Sequence, residues 1–348
     1  MSLVKVMSDL NKSFGNGTVI VGSQIRDDYM TRMPSGSLAL DVALGGGWPA
    51  NQWHEIVGEA SNGKTAIALK TIAANQKRDP NFTAVWVAAE QWVPQYAVMC
   101  GVDLSRVYIV STNIMEEAYS AAINLIETKE IDCVVIDSLP ALIPIREDEK
   151  EMDEDTVGRG ALLTGKFFRK VQHVGKRSMI EPERPFIGLM INQYRMSIGV
   201  MYGDPRTTPG GKAKDYFFFT RVEVKRDEWL EDGTGQEKRR VGQTIKVRTL
   251  KNKSAPISEP VFVDFYFAHT DMFNAGEYDF AKEFVAMGIL YKVITRAGAY
   301  YRYSGKQWQG ADAMLDAIRE DIDLRENLER EVLQTIKTGS KDSESNAD

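Results

Sequence analysis

The segment Gly58-Glu59-Ala60-Ser61-Asn62-Gly63-Lys64-Thr65 narrows the folds open to this chain more than any other stretch. It matches GxxxxGK[ST], and it lies between a strand predicted over 54–57 and an apolar helix predicted over 64–78. In that setting the glycines let backbone N–H groups wrap a polyphosphate, and the helix N-terminus adds a favourable dipole. Lys64 would reach the β- and γ-phosphates and Thr65 would ligate Mg²⁺, with Glu59 to Asn62 and Ala66 completing the cradle. A chance glycine turn ahead of a helix is the alternative. A second apolar run, Cys133-Val134-Val135-Ile136, counts against it, because it ends in Asp137. A carboxylate at such a strand tip can hold the water shell of the metal. Hydrolysis also needs a carboxylate to orient the attacking water. Glu90, after a strand predicted over 83–88, is the candidate by position, because parallel strands bring their C-terminal ends together.

Around this motif, short β-branched runs at 54–57, 83–88, 107–110, 133–136 and 186–191 alternate with helical patterns at 64–78, 115–129 and 159–173. Fully apolar strands separated by helices imply a parallel sheet covered on both faces, hence an α/β core. A hairpin is predicted from 217–226 and 239–250, an antiparallel extension of that sheet. Four regions follow. Residues 1–33 form a short helix-strand arm, with apolar residues at helical spacing over 1–16 and a strand at 18–22, and no core of their own. Residues 34–269 form the core, 270–337 a small α/β C-terminal domain, and 338–348 a polar, disorder-prone tail.

Composition excludes several classes. The 43 % hydrophobic and 26 % charged content is that of an ordinary globular chain. Cys100 and Cys133 sit singly in apolar stretches and read as buried free thiols, which with only three scattered histidines argues against structural zinc. The N-terminus fits no secretory or transit signal, and no apolar run could span a bilayer, so a cytoplasmic protein without membrane contact is expected. The net charge of −6 taken alone argues against nucleic acid.

Several further segments make the chain resemble the RecA recombinase family. They are Pro34-Ser35-Gly36-Ser37-Leu38-Ala39-Leu40-Asp41 leading to Ala43-Leu44-Gly45-Gly46-Gly47, and Val135-Ile136-Asp137-Ser138-Leu139-Pro140-Ala141-Leu142-Ile143-Pro144. Most specific is Ile191-Asn192-Gln193-Tyr194-Arg195-Met196-Ser197-Ile198-Gly199-Val200-Met201-Tyr202-Gly203, continuing into Thr207-Thr208-Pro209-Gly210-Gly211-Lys212-Ala213. Leu250-Lys251-Asn252-Lys253-Ser254-Ala255-Pro256 and Ala297-Gly298-Ala299-Tyr300-Tyr301 extend the likeness over nearly the whole chain.

The resemblance implies a RecA-like P-loop ATPase core and a helical filament on single-stranded DNA. It implies DNA-dependent ATP hydrolysis, strand exchange with homologous duplex in recombination, repair and the SOS response, and ATP with Mg²⁺ as cofactors. It also implies a nucleoid-associated location (the host cytoplasm, for a phage-encoded chain), with single-strand-binding protein and loading mediators as further partners. Residue by residue, Lys64 and Thr65 become phosphate and Mg²⁺ ligands, Asp137 a metal ligand through water, and Glu90 the activator of water. Gln193 becomes the sensor of the γ-phosphate, and Tyr96 stacks on adenine. Lys251 and Lys253 act in trans on the neighbour's ATP. Two DNA-binding loops are implied, at about 149–158 and 194–212, and the C-terminal domain contacts duplex.

The second loop is readable in its own terms. Arg195, Arg206 and Lys212 offer phosphate contacts, and Gly199, Gly210 and Gly211 permit close backbone approach. Met196, Ile198, Val200 and Met201 are either wedges between bases or a buried strand, and Ser197 lies among them. The family reading makes Ile198, and Val157 in the first loop, the wedges. It adds Arg169 on the following helix as a backbone contact, and Arg226, Lys246 and Arg248 as a weaker second DNA site.

Charge is unevenly distributed. Residues 238–253 hold seven bases and no acid, whereas 146–155 hold seven acids against two bases. The first run is either a DNA-facing surface or a solvated hairpin face. The second is expected to face away from phosphates. The chain departs from the family at Ala88-Ala89-Glu90-Gln91-Trp92-Val93-Pro94, where acids are missing, at Glu59 and Ala60, at Leu162 in place of an Arg, and in its short N-terminal helix. Two other readings stay open on sequence: a ring-shaped hexameric ATPase, which would need an arginine finger, and a strand-coating protein that uses ATP only as a clamp.

Overall fold

The computed structural model describes residues 2–148, 158–196 and 205–345, and its chain divides into two compact units. The first comprises residues 1–36, 40–227 and 245–261, and the second residues 37–39, 228–244 and 262–348.

Helix α1 (Leu3–Phe14) opens the first unit and buries none of its residues, leaving Leu3, Val4 and Phe14 exposed. The strand expected at 18–22 does not form. The Asn11 side chain takes both the N–H and the C=O of Val19, the groups a strand partner would have used. Strand β1 (Arg32–Met33), α2 (Leu38–Leu44) and β2 (Trp48–Pro49) lead into the core. The core then alternates β3 (Gln52–Val57), α3 (Lys64–Arg78), β4 (Ala84–Ala88), α4 (Pro94–Met99), β5 (Val107–Val110), α5 (Met115–Glu127) and β6 (Cys133–Asp137). After α6 (Ile145–Asp148) come α7 (Arg159–Val174), β7 (Ile187–Asn192), β8 (Arg195–Met196), β9 (Arg206–Thr207) and α8 (Ala213–Phe217).

The hairpin strands β10 (Thr220–Asp232) and β11 (Arg239–Asn252) belong to the first unit at one end and to the second at the other. Strand order in the first unit is β11-β10-β3-β7-β6-β4-β5, with the run from β10 to β5 parallel. This is the mostly parallel sheet with an antiparallel extension that the apolar runs predicted. Cys100 and Cys133 are both buried and free.

Aromatic packing fixes α7 against the sheet. Trp53 of β3 meets Phe167 edge-on at 5.2 Å, Tyr119 of α5 stacks on Phe167 at 4.3 Å, and Phe168 stacks on Phe217 at 5.2 Å. Such pairs contribute about 0.5–1.5 kcal/mol each beyond area burial. One face of α7 is thereby committed to the core, and its outer face carries Leu162 and Arg169 to the surface.

In the second unit, β12 (Val261–Tyr266) runs beside the distal part of β11. It is followed by α9 (Phe280–Leu290), the antiparallel sheet of β13 (Thr295–Ala297), β14 (Tyr300–Tyr303) and β15 (Lys306–Gln309), then α10 (Ala311–Glu320) and α11 (Ile322–Ser345). Glu283 of α9 accepts from the Ser37 hydroxyl and the Ala39 N–H, both at 3.1 Å, which is why residues 37–39 group with this unit. Helix α11 is assigned from Ile322 to Ser345 and so enters the polar segment 338–348. Among the described residues, no helix is long and apolar enough to cross a membrane.

Candidate nucleotide and DNA sites

The segment 58–65 joins the tip of β3 to the start of α3. Gly58 tolerates no side chain, since a Cβ there would lie 2.1 Å from the Val224 carbonyl oxygen, and its N–H donates to the Asn192 carbonyl. Gly63, at φ +93°, is the left-handed N-cap of α3. Lys64 is buried, and its Nζ donates to the Glu59 carbonyl at 2.6 Å. Burial pulls the Lys64 ammonium below its usual pKa, opposed by Asp137, Glu90 and Glu59. Glu59, Ala60 and Ser61 are exposed, and Asn62 and Ala66 are buried.

Sheet order brings further residues to this edge. Thr65 Oγ1 donates to Asp137 Oδ2 at 3.0 Å. Burial, helped by Glu90, raises the Asp137 carboxyl to about 6, with Thr65 and Lys64 acting the other way. The Asp137 carbonyl accepts the N–H groups of Ala89 and Glu90 at 3.0 and 3.1 Å. The Glu90 carboxylate accepts from the Ser138 hydroxyl. Tyr96, on α4, is half-buried, and its hydroxyl donates to the Cys100 thiol. Gln193 directly follows β7, with its N–H on Asn192 Oδ1 at 2.9 Å. Lys251 and Lys253 instead hold the C-terminal carbonyls of α8, at Asp215 and at Tyr216 (3.1 Å).

The predicted DNA-binding residues are placed as follows. Val157, Ser197, Ile198, Gly199, Val200 and Met201 lie outside the described residues, as does most of the acidic run. Arg195 and Met196 stand exposed on β8, which pairs with β9 (Met196 opposite Arg206) to form the stem of the second loop. Gly210 and Gly211, both at positive φ, seat the far end of that loop on Leu139, Thr164 and Ala161, beside exposed Lys212 and the exposed Arg169 of α7. Arg226 and Lys246 are half-buried in the hairpin. Arg206 and Arg248 are committed to Glu223, at 2.8 and 3.0 Å.

The acid-free run at 238–253 is therefore less cationic than its sequence suggests. Acids on β10 face it across the hairpin, with Lys238 on Glu231 and Arg239 on Asp232 as further pairs.

Sequence reasoning missed a buried cluster beneath the loop. Glu55, fully buried in β3, accepts from Arg221 at 2.6 Å and from Asn192 at 2.8 Å, and Lys214 lies 3.6 Å away. Asn192 also donates to the Pro209 carbonyl at 3.2 Å, so one side chain touches both ends of the 193–209 loop. The available signal was one acid, Glu55, in a strand over Gln52–Val57 that also carries Trp53, Ile56 and Val57.

The RecA N-terminal domain family model matches residues 1–270, well over half the chain. The chain belongs to the RecA family. It is 34 % identical over 339 residues to Protein RecA of Lactobacillus delbrueckii subsp. bulgaricus, covering 97 % of each chain. It is 35 % identical over 349 residues to Protein RecA of Francisella tularensis subsp. tularensis, covering 98 % of this chain and 92 % of that one. This RecA-family chain is an ATP-dependent recombinase for homologous pairing in DNA recombination and repair, and its enzymatic activity is DNA-dependent ATP hydrolysis. Nucleotide binding, DNA binding and filament formation come with the family.

Proposed function

We propose that ATP is the nucleotide and that it is held at 58–66 with Mg²⁺. The observation that carries this reading is the convergence of Lys64, Thr65, Asp137, Glu90 and Ser138 at the C-terminal edge of the sheet. The donor set suits the metal, because a hydroxyl and a carboxylate already in contact are the oxygen ligands that Mg²⁺ accepts alongside water and phosphate. Bound there by Thr65, and by Asp137 through water, Mg²⁺ would neutralise charge on the β- and γ-phosphates.

Lys64 exchanges the Glu59 carbonyl for phosphate oxygen, a stronger, charge-assisted acceptor. Glu90, oriented by Ser138, positions the attacking water. Gln193 reports the γ-phosphate to the loop it begins, and Tyr96 packs on the base. Lys251 and Lys253 leave the α8 carbonyls to meet the ATP of an adjacent protomer. The exposed apolar residues of α1 support a role for residues 1–33 in that protomer contact.

The loop 194–212 takes single-stranded DNA through Arg195, Arg206, Lys212 and the segment 196–201, with Val157 and Arg169 contributing from the first loop and α7. Arg226, Lys246 and Arg248 serve a second strand, and the C-terminal domain takes duplex. The chain acts on DNA in the cytoplasm, with single-strand-binding protein and loading mediators as partners.

Strand exchange and DNA-stimulated ATP turnover in Lys64→Ala and Glu90→Gln test the reading. Lys64→Ala should lose nucleotide-dependent DNA binding. Glu90→Gln should form long-lived filaments and hydrolyse ATP about 10²–10⁴-fold more slowly. Normal turnover in Glu90→Gln would remove Glu90 from the mechanism.

A further inference from the structure

Glu223, on β10, gathers three donors from around the stem of the second loop. Its Oε1 accepts from the Tyr194 hydroxyl and from Arg206 Nη1, both at 2.8 Å, and its Oε2 lies 3.0 Å from Arg248 Nη2. The Arg206 guanidinium also lies over the Tyr194 ring, 4.7 Å from its centroid. Tyr194 stands at the entry to the loop, Arg206 at its return and Arg248 on the adjacent β11, so one carboxylate ties three elements together.

We propose that Glu223 is an internal competitor for DNA phosphate: in the DNA-free protomer it holds Arg206 and Arg248, and a nucleic-acid backbone must displace it to engage them. The proposal rests on the reading of those two arginines as DNA contacts. Glu223 is mostly covered, at 15 % side-chain exposure, whereas Arg206 and Arg248 are 37 % and 49 % exposed. Water and salt screen ion pairs of that kind, which leaves them weak enough for a phosphate to replace. The Glu55 cluster is the contrast. There the carboxylate and Lys214 are 0 % and 1 % exposed, and no ligand could exchange with them.

Space for the exchange is present. A cavity of about 370 Å³ beside the cluster is lined by Glu59, Tyr194, Arg206, Glu223 and Arg226. The Arg206 side chain can therefore swing off Glu223 without repacking the core. Arginine suits this double use because its planar fork binds carboxylate and phosphate in the same geometry.

The full-length Glu223→Gln variant tests the proposal, since glutamine keeps the shape and an acceptor for Tyr194 but removes the charge. Binding of a fluorescein-labelled oligo-dT is followed by anisotropy, both to the free chain and, as a second strand, to filaments preassembled on unlabelled oligo-dT, without nucleotide and with a non-hydrolysable ATP analogue. About tenfold tighter binding is expected at roughly 50 mM NaCl, the gain shrinking toward 200 mM as salt screens the site. The gain should vanish when Arg206→Ala and Arg248→Ala are added. Glu223→Ala, a second variant, should show the same gain if Glu223→Gln folds poorly. If both Glu223 variants bind no tighter while Arg206→Ala and Arg248→Ala weaken the unmodified chain, Glu223 is a scaffold for the stem and the competitor role is overturned. If the arginine substitutions change nothing in either background, the DNA-contact reading itself fails and takes the proposal with it.

Discussion

Replacing Glu55 with glutamine removes the charge on which the floor of the second loop is built. Glu55 is fully buried and accepts from Arg221 at 2.6 Å and Asn192 at 2.8 Å, with Lys214, itself 1 % exposed, at 3.6 Å. Glutamine occupies the same volume but can accept at only one terminal oxygen, and its NH₂ group must then face one of the donors. Removing one partner of a buried ion pair costs about 3–5 kcal/mol, because the other charge stays buried without compensation. Here the lower end applies, since Lys214 keeps Thr208 at 2.7 Å and Asp215 at 2.8 Å, and Arg221 keeps Asp215 at 3.5 Å.

A loss of about 3 kcal/mol converts to a fall in Tm of roughly 6–12 °C for a domain of this size. Differential scanning calorimetry reads it directly. Adding Lys214→Met should recover at least about 1 kcal/mol of that loss by removing the stranded ammonium. A Tm for Glu55→Gln within about 2 °C of the unmodified chain, or a double variant no better than the single one, would refute the reasoning. Because Asn192 carries the Glu55 contact to Gln193 and Pro209, DNA-stimulated ATP turnover should fall in the same variant at temperatures where it remains folded.

Four other outcomes are expected. Between its ordinary value of 3.8 and about 6, the folded chain keeps on Asp137 a proton that the unfolded chain releases, so this group's contribution to stability falls as pH rises through that window. Mg²⁺-dependent nucleotide binding needs the ionised form and should strengthen as pH rises through about 6, a dependence that Asp137→Asn should abolish in binding titrations. Gly210→Ala places a methyl 2.8 Å from Leu139 Cδ2 at a φ of +96°, and should cost about 1–3 kcal/mol by urea denaturation while weakening oligo-dT binding. Neutralising Glu151, Asp153 and Glu154 together should tighten DNA binding, and an unchanged salt dependence would contradict that.

The proposed nucleotide site was legible because its motif is contiguous. Eight successive residues carry that motif, and α3 spans Lys64–Arg78, the range its apolar spacing predicted. Asp137 and Glu90 were legible for a related reason, as acids at the ends of apolar runs in a parallel sheet share one edge. The strand expected at 18–22 failed for a local cause that no propensity scale contains, the Asn11 side chain on Val19. The pairing of the acid-free run at 238–253 was not legible for a topological cause, because its opposing acids come from β10.

By itself the sequence determined the fold class, the GxxxxGK[ST] segment between a strand and a helix, the acid at the end of the apolar run 133–136 and the segments that resemble the family. All of these depend on residues near one another in the chain or on periodicity. Only the tertiary structure decided which charges meet. The parallel register sets Arg221 opposite Glu55 and Glu223 opposite Val57, and β7 brings Asn192 to the same level. A slip of one residue would turn each of these side chains to the other face of the sheet. Whether an arginine near the loop is buried ballast, a DNA contact held in reserve or an open cation therefore depends on strand register, which no single stretch of sequence contains.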